Sequence, residues 1–280
     1  MLCYSTGSLP DAFSLSENLP EIADLLSQTP FTGVELVVTA PMLARAGDME
    51  YWNGIRDSFR GKGLVFRNVH MGAPHLLGPE AHRPGLSALD PDTRARKVAA
   101  IEAGMQIAMA LEAPHLTLTT GLTESEGQRA AQIEGFKDAL TSLVMVKPVP
   151  LKLLIEQEPE HIINRASQLI ELGRAFPGQV YATFDVGHSH VEGEDIGEAI
   201  RRLGPLVRNV HLEDIAGRVH KHLLYGEGDV DFDSIFKALH DTGYRGDFTP
   251  DLYPFKDDYA RAMRESLEFL RRHGVLTRAL

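Results

Sequence analysis

The 280-residue chain has a single cysteine, Cys3, so it can form no internal disulfide, which fits a reducing compartment. Lying in the first expected strand, Cys3 reads as a small core residue rather than a nucleophile. There is no apolar run of the roughly 18 residues that a membrane-spanning helix needs. The opening Met1-Leu2-Cys3-Tyr4 also lacks the basic-then-apolar order of a secretory signal. A cytoplasmic protein is expected, with no membrane partner. Positive charge is scarce as well: 28 Lys and Arg stand against 39 Asp and Glu, a formal charge of −11. Nucleic-acid binding draws most of its affinity from bases that neutralise phosphates, so no nucleic-acid partner is expected. The local pairs Arg201-Arg202 and Arg271-Arg272 read as solvated helix faces. Fixed-period repeats are missing, as are linkers and composition shifts, and one domain is expected over residues 1–280.

What is present is an alternation. Apolar runs with strand character cover residues 2–6, 33–38, 64–70, 114–119, 150–157, 182–185, 206–212 and 247–252. Between and after them, helical patterns cover 15–27, 49–62, 92–111, 124–146, 159–174, 196–203, 231–242 and 256–273, the first opened by Ser14 or Ser16 and the fifth by Pro159. Eight strands alternating with eight helices define an α/β chain, and the length suits a closed (β/α)8 TIM barrel, typically roughly 250 residues. An open doubly wound sheet would usually place a glycine-rich phosphate turn after strand one, and Ser5-Thr6-Gly7-Ser8 is not one. The Gly/Pro/His-rich loop 71–91 is long enough to act as a lid.

In such barrels, sites lie where the strands end. Strand five ends in Glu156, strand six in Asp185 with Gly187 expected to stop it in a loop, strand seven in His211 and strand eight in Asp251. Alternation turns all four inward. Three carboxylates and one imidazole without a thiolate make a hard, oxygen-rich site for one divalent metal ion, with Mn²⁺, Mg²⁺ or Co²⁺ favoured and Zn²⁺ compatible. His70 ends strand three on the same rim and is expected to line the pocket. A polyol or hydroxyketone could fill the open positions with adjacent oxygens.

The motifs Leu-Leu-Ile-Glu ending at Glu156, Phe-Asp-Val-Gly-His with Asp185 and His188, Val-His-Leu-Glu-Asp with His211, His222 ahead of Gly226-Glu227-Gly228-Asp229-Val230-Asp231-Phe232, and Gly243-Tyr244-Arg245-Gly246 resemble the xylose-isomerase-like barrel superfamily. The likeness is greatest to its sugar isomerase and epimerase branch, with ketose 3-epimerases and hydroxypyruvate isomerase. It spans essentially the whole chain, with the specific motifs between 151 and 255. It implies a metal-dependent isomerase or epimerase of carbohydrate metabolism acting on a small molecule. Glu156, Asp185, His211 and Asp251 would bind the metal, Glu156 and Asp251 would move the proton, and His188 and Arg218 would hold substrate oxygens. Relatives commonly dimerise, so a homodimer is the implied assembly. Epimerisation beside a carbonyl removes a proton from one face of the substrate and returns one to the other, through an enediolate, which explains the need for two acids.

Some residues depart from that pattern. The family acid on strand eight is usually Glu, and Asp251 is one methylene shorter. Pro250 before it lacks a backbone donor, which implies a local bulge. Glu158 lies on the same face as Glu156 and is a second candidate for proton transfer, or a turn residue before Pro159. His220 and His222 fit a second metal, a substrate contact or a solvated loop equally well. An endonuclease-IV-like phosphodiesterase is a competing reading. It would want a histidine at the end of strand four, where Thr119-Thr120-Gly121 stands. A non-catalytic metal- or metabolite-binding barrel is a third. For a phosphorylated substrate the rim offers Arg45, Arg83 and Arg218 without a clear cluster.

Overall fold

A computed structural model of the chain describes residues 1–11, 18–72 and 85–276. Eight parallel strands, β1 Cys3–Ser5, β2 Gly33–Val37, β3 Val65–His70, β4 His115–Leu118, β5 Lys152–Glu156, β6 Val180–Asp185, β7 Val207–Leu212 and β8 Asp247–Pro250, pair in chain order. Leu2 bridges in parallel to Phe248, whose N–H donates to the Met1 carbonyl at 2.8 Å, so the last strand returns to the first. Helices flank the sheet, and the fold is the (β/α)8 barrel. Strands this short and apolar fit a sheet covered on both faces. Their outer side chains, Phe66, Leu116, Phe184 and Val210 among them, pack with helix residues such as Trp52, Phe59, Phe136 and Leu239 in one continuous core. None of the described helices is long and apolar enough to cross a membrane.

Five of the described helices begin on an aspartate whose carboxylate accepts the N–H three residues on, four of them being the following. Asp48 takes Tyr51 at 3.1 Å, Asp90 takes Thr93 at 2.9 Å, Asp195 takes Glu198 at 2.9 Å and Asp231 takes Ser234 at 3.1 Å. The first helix runs over Leu19–Leu26, and its expected caps at Ser14 or Ser16 fall outside the described residues. Residues 73–84 of the expected lid, with Arg83, are likewise outside them.

Three local expectations are corrected. The helix expected from Pro159 starts at Ala166. Residues before it are drawn across to the loop after β4 instead: His161 forms a bridge with Leu122, and the Ile162 N–H donates to Gly121 O at 3.2 Å. Gly187 was expected to end strand six in a loop, but a short helix Val186–Val191 follows at once, capped by Asp185 accepting the His188 N–H at 2.8 Å. Pro250 produces no bulge, since Asn209↔Asp247 through Leu212↔Pro250 pair one to one. The reason is the direction of its missing donor. Phe248 donates toward β1 and Asp251 donates toward β7, to Leu212 O at 3.0 Å. Alternation therefore turns the Pro250 nitrogen to the β1 side, beyond the Leu2–Phe248 bridge.

The register does shift at two other places, between Val34 and Glu35 and between Ala182 and Thr183. Both bring polar side chains into the barrel. The interior layer below the rim is hydrogen-bonded rather than aliphatic: Thr183 to Thr117 at 2.7 Å, Asn68 to Thr117 at 2.7 Å, Asn68 to Glu35 at 2.7 Å, Asn209 to Glu35 at 2.9 Å and Thr249 to Asn209 at 2.9 Å. Branched aliphatic residues are the usual filling of such a layer. A polar layer there forms a fixed floor for whatever lies above it.

Candidate metal centre and active site

Above that floor, at the carboxyl ends of the strands, a cleft of about 80 Å³ is lined by Glu35, His70, Glu156, Glu158, His188, His211, His220, His222, Asp251 and Tyr253, with four smaller residues. No Lys or Arg is among its described lining residues. A larger cleft of about 320 Å³ lies at the opposite end, between Phe236, Tyr244, Phe248 and Val275. No group of converging ligating side chains is found there among the described residues.

Glu156, Asp185 and His211 meet as the strand ends dictate. Ligating atoms of Asp185, His211 and Asp251 lie within 4.8 Å of one another, as do those of Glu156, Asp185 and His188. The geometry is that of acceptors crowded without donors. His211 Nδ1 lies 2.8 Å from Glu156 Oε1 and 3.8 Å from Asp185 Oδ2, yet neither His211 Nδ1 nor Asp185 Oδ2 has a hydrogen-bond partner, and both are buried. Buried polar atoms are normally satisfied, and a cation between them would satisfy these. The residues present therefore fit a divalent metal ion. The other imidazole nitrogen, His211 Nε2, lies 3.0 Å from Glu35 Oε2.

The electrostatics follow from burial opposed by pairing. For Glu156, burial disfavours the charged form, but His211 and His70 outweigh it and hold the carboxyl well below its usual range. His70, 2.7 Å from Glu156 Oε2, is raised in turn: burial lowers it, and Glu156 and Glu35 more than compensate. His211 is raised further, because burial is outweighed by Glu35 and Glu156 together. Glu158 behaves in the opposite way. It is buried, and burial together with Glu156, Asp185 and Asp251 pushes it well above the carboxylate range, so it keeps its proton.

Glu213 is a second acid pushed well above the carboxylate range, by burial first and by the Asp185 carboxylate beside it. Space for it comes from Gly187, where a Cβ would stand 1.9 Å from Glu213 Oε1. The neighbouring Asp214 serves the backbone. Its carboxylate accepts the N–H groups of Gly226 at 2.8 Å, Gly228 at 3.0 Å and Val230 at 3.2 Å, which shapes the Gly226-Glu227-Gly228-Asp229 loop.

His188, His220 and His222 form a separate group of imidazoles within 4.8 Å. His188 Nδ1 donates to Gln157 O at 2.8 Å and His222 Nδ1 donates to Asp251 O at 2.8 Å. Carbonyls only accept, so each Nδ1 carries a hydrogen, and Nε2 is the ring atom of His188 and His222 left to face the cleft. His222 Nε2 faces His220 Nε2 at 3.2 Å. Desolvation, His188 and His222 push His220 downward, so it stands neutral. Arg218 is placed elsewhere: it is exposed, donates to Val191 O at 3.3 Å and packs over Gly193 outside the cleft lining. Arg45 lies over Tyr51, 3.9 Å from the ring centroid. Thr119 and Thr120, at the end of β4, are buried and enter none of the described ligating groups.

Sequence reasoning did not assign Glu35 or Glu213. The signal for Glu35 was a lone carboxylate within the apolar strand Gly-Val-Glu-Leu-Val. Glu213 lay inside a quoted motif, but nothing in one strand tells that it reaches the Asp185 carboxylate of another.

A barrel whose carboxyl rim carries these groups has a defined class. A family profile described as xylose isomerase-like TIM barrel matches residues 23–273, and the chain belongs to that family. Among curated proteins it is 26% identical over 184 residues to an inosose dehydratase of Clostridium perfringens (strain 13 / Type A), a stretch that is 59% of each chain, so the match spans well under two thirds of that relative. A D-tagatose 3-epimerase-like protein superposes with a TM-score of 0.78 at 19% identity, covering 100% of this chain and 99% of the other. The IOLI protein with a bound zinc atom gives 0.75 at 15% identity, covering 100% and 99%. At these identities the two structures speak to the fold.

Proposed function

We propose that the chain is a divalent-metal-dependent isomerase or epimerase of an uncharged sugar or related hydroxycarbonyl compound. The observation that carries this reading is the pair of buried ligating atoms without hydrogen-bond partners, Asp185 Oδ2 and His211 Nδ1, 3.8 Å apart beside Glu156. Glu156, Asp185, His211 and Asp251 would hold the ion, which when bound supplies Lewis-acid polarisation of the substrate carbonyl. Mn²⁺, Mg²⁺ or Co²⁺ suits the three carboxylates best, and Zn²⁺ is the alternative.

Glu156, kept ionised by its two histidines, takes the proton from the carbon beside the carbonyl. Asp251, on the other side of the barrel mouth, returns a proton to the opposite face. Glu158 stands in the same cleft with its proton in place, ready to donate to the enediolate where Asp251 is too short to reach. His70 and His188 bind substrate hydroxyls, with His220 and His222 extending that wall. Arg218 would reach substrate only by leaving Val191. A phosphate or carboxylate in this cleft would meet Glu35, Glu156, Glu158 and Asp251 with no described base to offset them. The substrate is therefore read as neutral.

A second reading comes from the inosose dehydratase relative. Dehydration of a hydroxyketone begins with the same proton abstraction and then expels a β-hydroxyl, so the two readings share the first step. The test is incubation of the metal-loaded protein with free and phosphorylated ketoses and with a ketocyclitol in D₂O. Deuterium should enter the carbon beside the carbonyl of a free substrate. An epimer or isomer as product supports the first reading, and an absorbing enone the second. Turnover without any solvent exchange would refute both.

A further inference from the structure

The carboxylate of Glu35 is buried beneath the rim, and one of its oxygens, Oε2, receives three donors: Asn68 Nδ2 at 2.7 Å, Asn209 Nδ2 at 2.9 Å and His211 Nε2 at 3.0 Å. Alternation along β2 turns Glu35 inward with Val37, and at the register shift between Val34 and Glu35 the extra residue of β3, Arg67, turns Asn68 inward to meet it. The donors are themselves fixed. Thr249 Oγ1 donates to Asn209 Oδ1 at 2.9 Å, which sets the Asn209 amide with its NH₂ toward Glu35. Asn68 spends its second amide hydrogen on Thr117 Oγ1 at 2.7 Å. A bulge and a charge placed inside a barrel need a compensating role, since branched aliphatic residues would fill the same space without desolvating a carboxylate.

We infer that Glu35 is a positioning residue: it holds the His211 ring with Nε2–H directed into the floor, so that the Nδ1 lone pair is presented to the metal beside Glu156 and Asp185. An ionised carboxylate only accepts, so the nitrogen it faces must carry a hydrogen. Nδ1 lies 2.8 Å from Glu156 Oε1 but makes no hydrogen bond in this arrangement, which leaves it as the nitrogen that can ligate a metal. The partner is anionic, which also makes the imidazole a stronger ligand. The assignment rests on the metal reading above, and the experiment separates the two.

Glu35→Gln keeps the shape and an accepting oxygen but removes the charge. Thr117→Val removes hydrogen bonds to Asn68 and Thr183 from the far end of the same layer without touching Glu35 or His211. Co²⁺ affinity, measured by competition with a chelating indicator, and the visible ligand-field spectrum of the Co²⁺-loaded protein are compared with wild type. Glu35→Gln should weaken Co²⁺ binding about 10- to 100-fold and alter the spectrum, while Thr117→Val should stay within about 3-fold with the wild-type spectrum even if its melting temperature falls. Glu35→Asp, which keeps the charge but withdraws it by one methylene, should bind Co²⁺ with intermediate affinity and serves if the Gln variant does not fold. Wild-type affinity and spectrum in the Glu35 variants would overturn the assignment and leave the metal centre standing. Equal losses in Thr117→Val would overturn it in favour of a general softening of the floor. A wild-type protein that takes up no Co²⁺ would remove the metal centre itself, and the assignment with it.

Discussion

Replacing Glu156 by Gln isolates the electrostatics of the site in the metal-free protein. The carboxylate is buried, 2.7 Å from His70 Nε2 and 2.8 Å from His211 Nδ1, and it raises both imidazoles while they depress it. Removing one member of a buried pair costs about 3–5 kcal/mol, and here the cost should depend on pH in a defined sense. A depressed carboxyl contributes stability above its unfolded value of about 4.3, and this is lost as pH falls through the lower folded value. The raised histidines contribute fully below about 6.5 and lose that contribution as pH rises through their folded values. The destabilisation by Glu156→Gln should therefore be greatest at about pH 5–6 and shrink as pH rises through the raised folded values of the two imidazoles. Urea unfolding of chelator-treated wild type and variant at pH 5.5, 7 and 9 measures it. A difference that is flat with pH, or larger at pH 9, would refute the pairing. The same variant should also fail to retain metal through dialysis.

Three further outcomes follow from the geometry. Gly187→Ala would place a Cβ 1.9 Å from Glu213 Oε1 and 2.9 Å from Ile215 Cγ1; overpacking of this kind costs about 1–3 kcal/mol, and calorimetry should show it together with weaker metal retention as Glu213 is pushed against Asp185. At the base of the barrel, Asp247 is buried 3.1 Å from Arg67 Nε and is depressed because His115, Arg67 and the terminal amine outweigh its burial; Asp247→Asn should cost about 2 kcal/mol at pH 7, a difference that vanishes in urea titrations as pH falls below the usual carboxylate range. Protein dialysed against metal-free buffer and then titrated should bind a single tight divalent ion, with any second equivalent weaker, selective for Zn²⁺ over Mn²⁺ and abolished by His220→Ala. Two or three tight equivalents by elemental analysis would favour phosphodiesterase chemistry instead.

Much of this was legible because a barrel strand has a period of two and a defined end. Once Glu156, Asp185 and His211 are the last inward residues of their strands, the fold leaves them little choice but to converge, and the four sequence positions could be chosen from alternation alone. What could not be read is what depends on neighbouring strands. The shifts at Val34/Glu35 and Ala182/Thr183 are properties of pairs of strands, so the convergence of Asn68 and Asn209 on Glu35 has no signature within any one strand. The helix Val186–Val191 was missed for a related reason. Gly187 was weighed as a strand breaker, whereas it is needed where the Glu213 carboxyl from β7 occupies the space of a side chain. The false start at Pro159 came from reading proline as a helix opener when the following residues, with Glu160 at φ 65, are drawn across to the β4 loop.

The placement of Asp251 shows how these two kinds of information combine. In sequence, Pro250 stood as an obstacle to a closed sheet, and the bulge inferred from it would have moved the acid inward. In the barrel, the proline nitrogen falls on the side of β8 where pairing with β1 has already ended, and the Asp251 N–H is tied to Leu212 O. The backbone of Asp251 is thus held in regular register beside His211, with no inward displacement to offset its shorter side chain. The acid that would compensate lies beyond another strand: Glu158, two residues past Glu156, faces the same cleft and is pushed well above the carboxylate range by burial first and then by Glu156, Asp185 and Asp251. On the proposed function, a short carboxylate after β8 and an acid beyond β5 would together cover the roles that a single longer residue would fill, and the departure at position 251 would change which residue returns the proton before it changed the class of reaction.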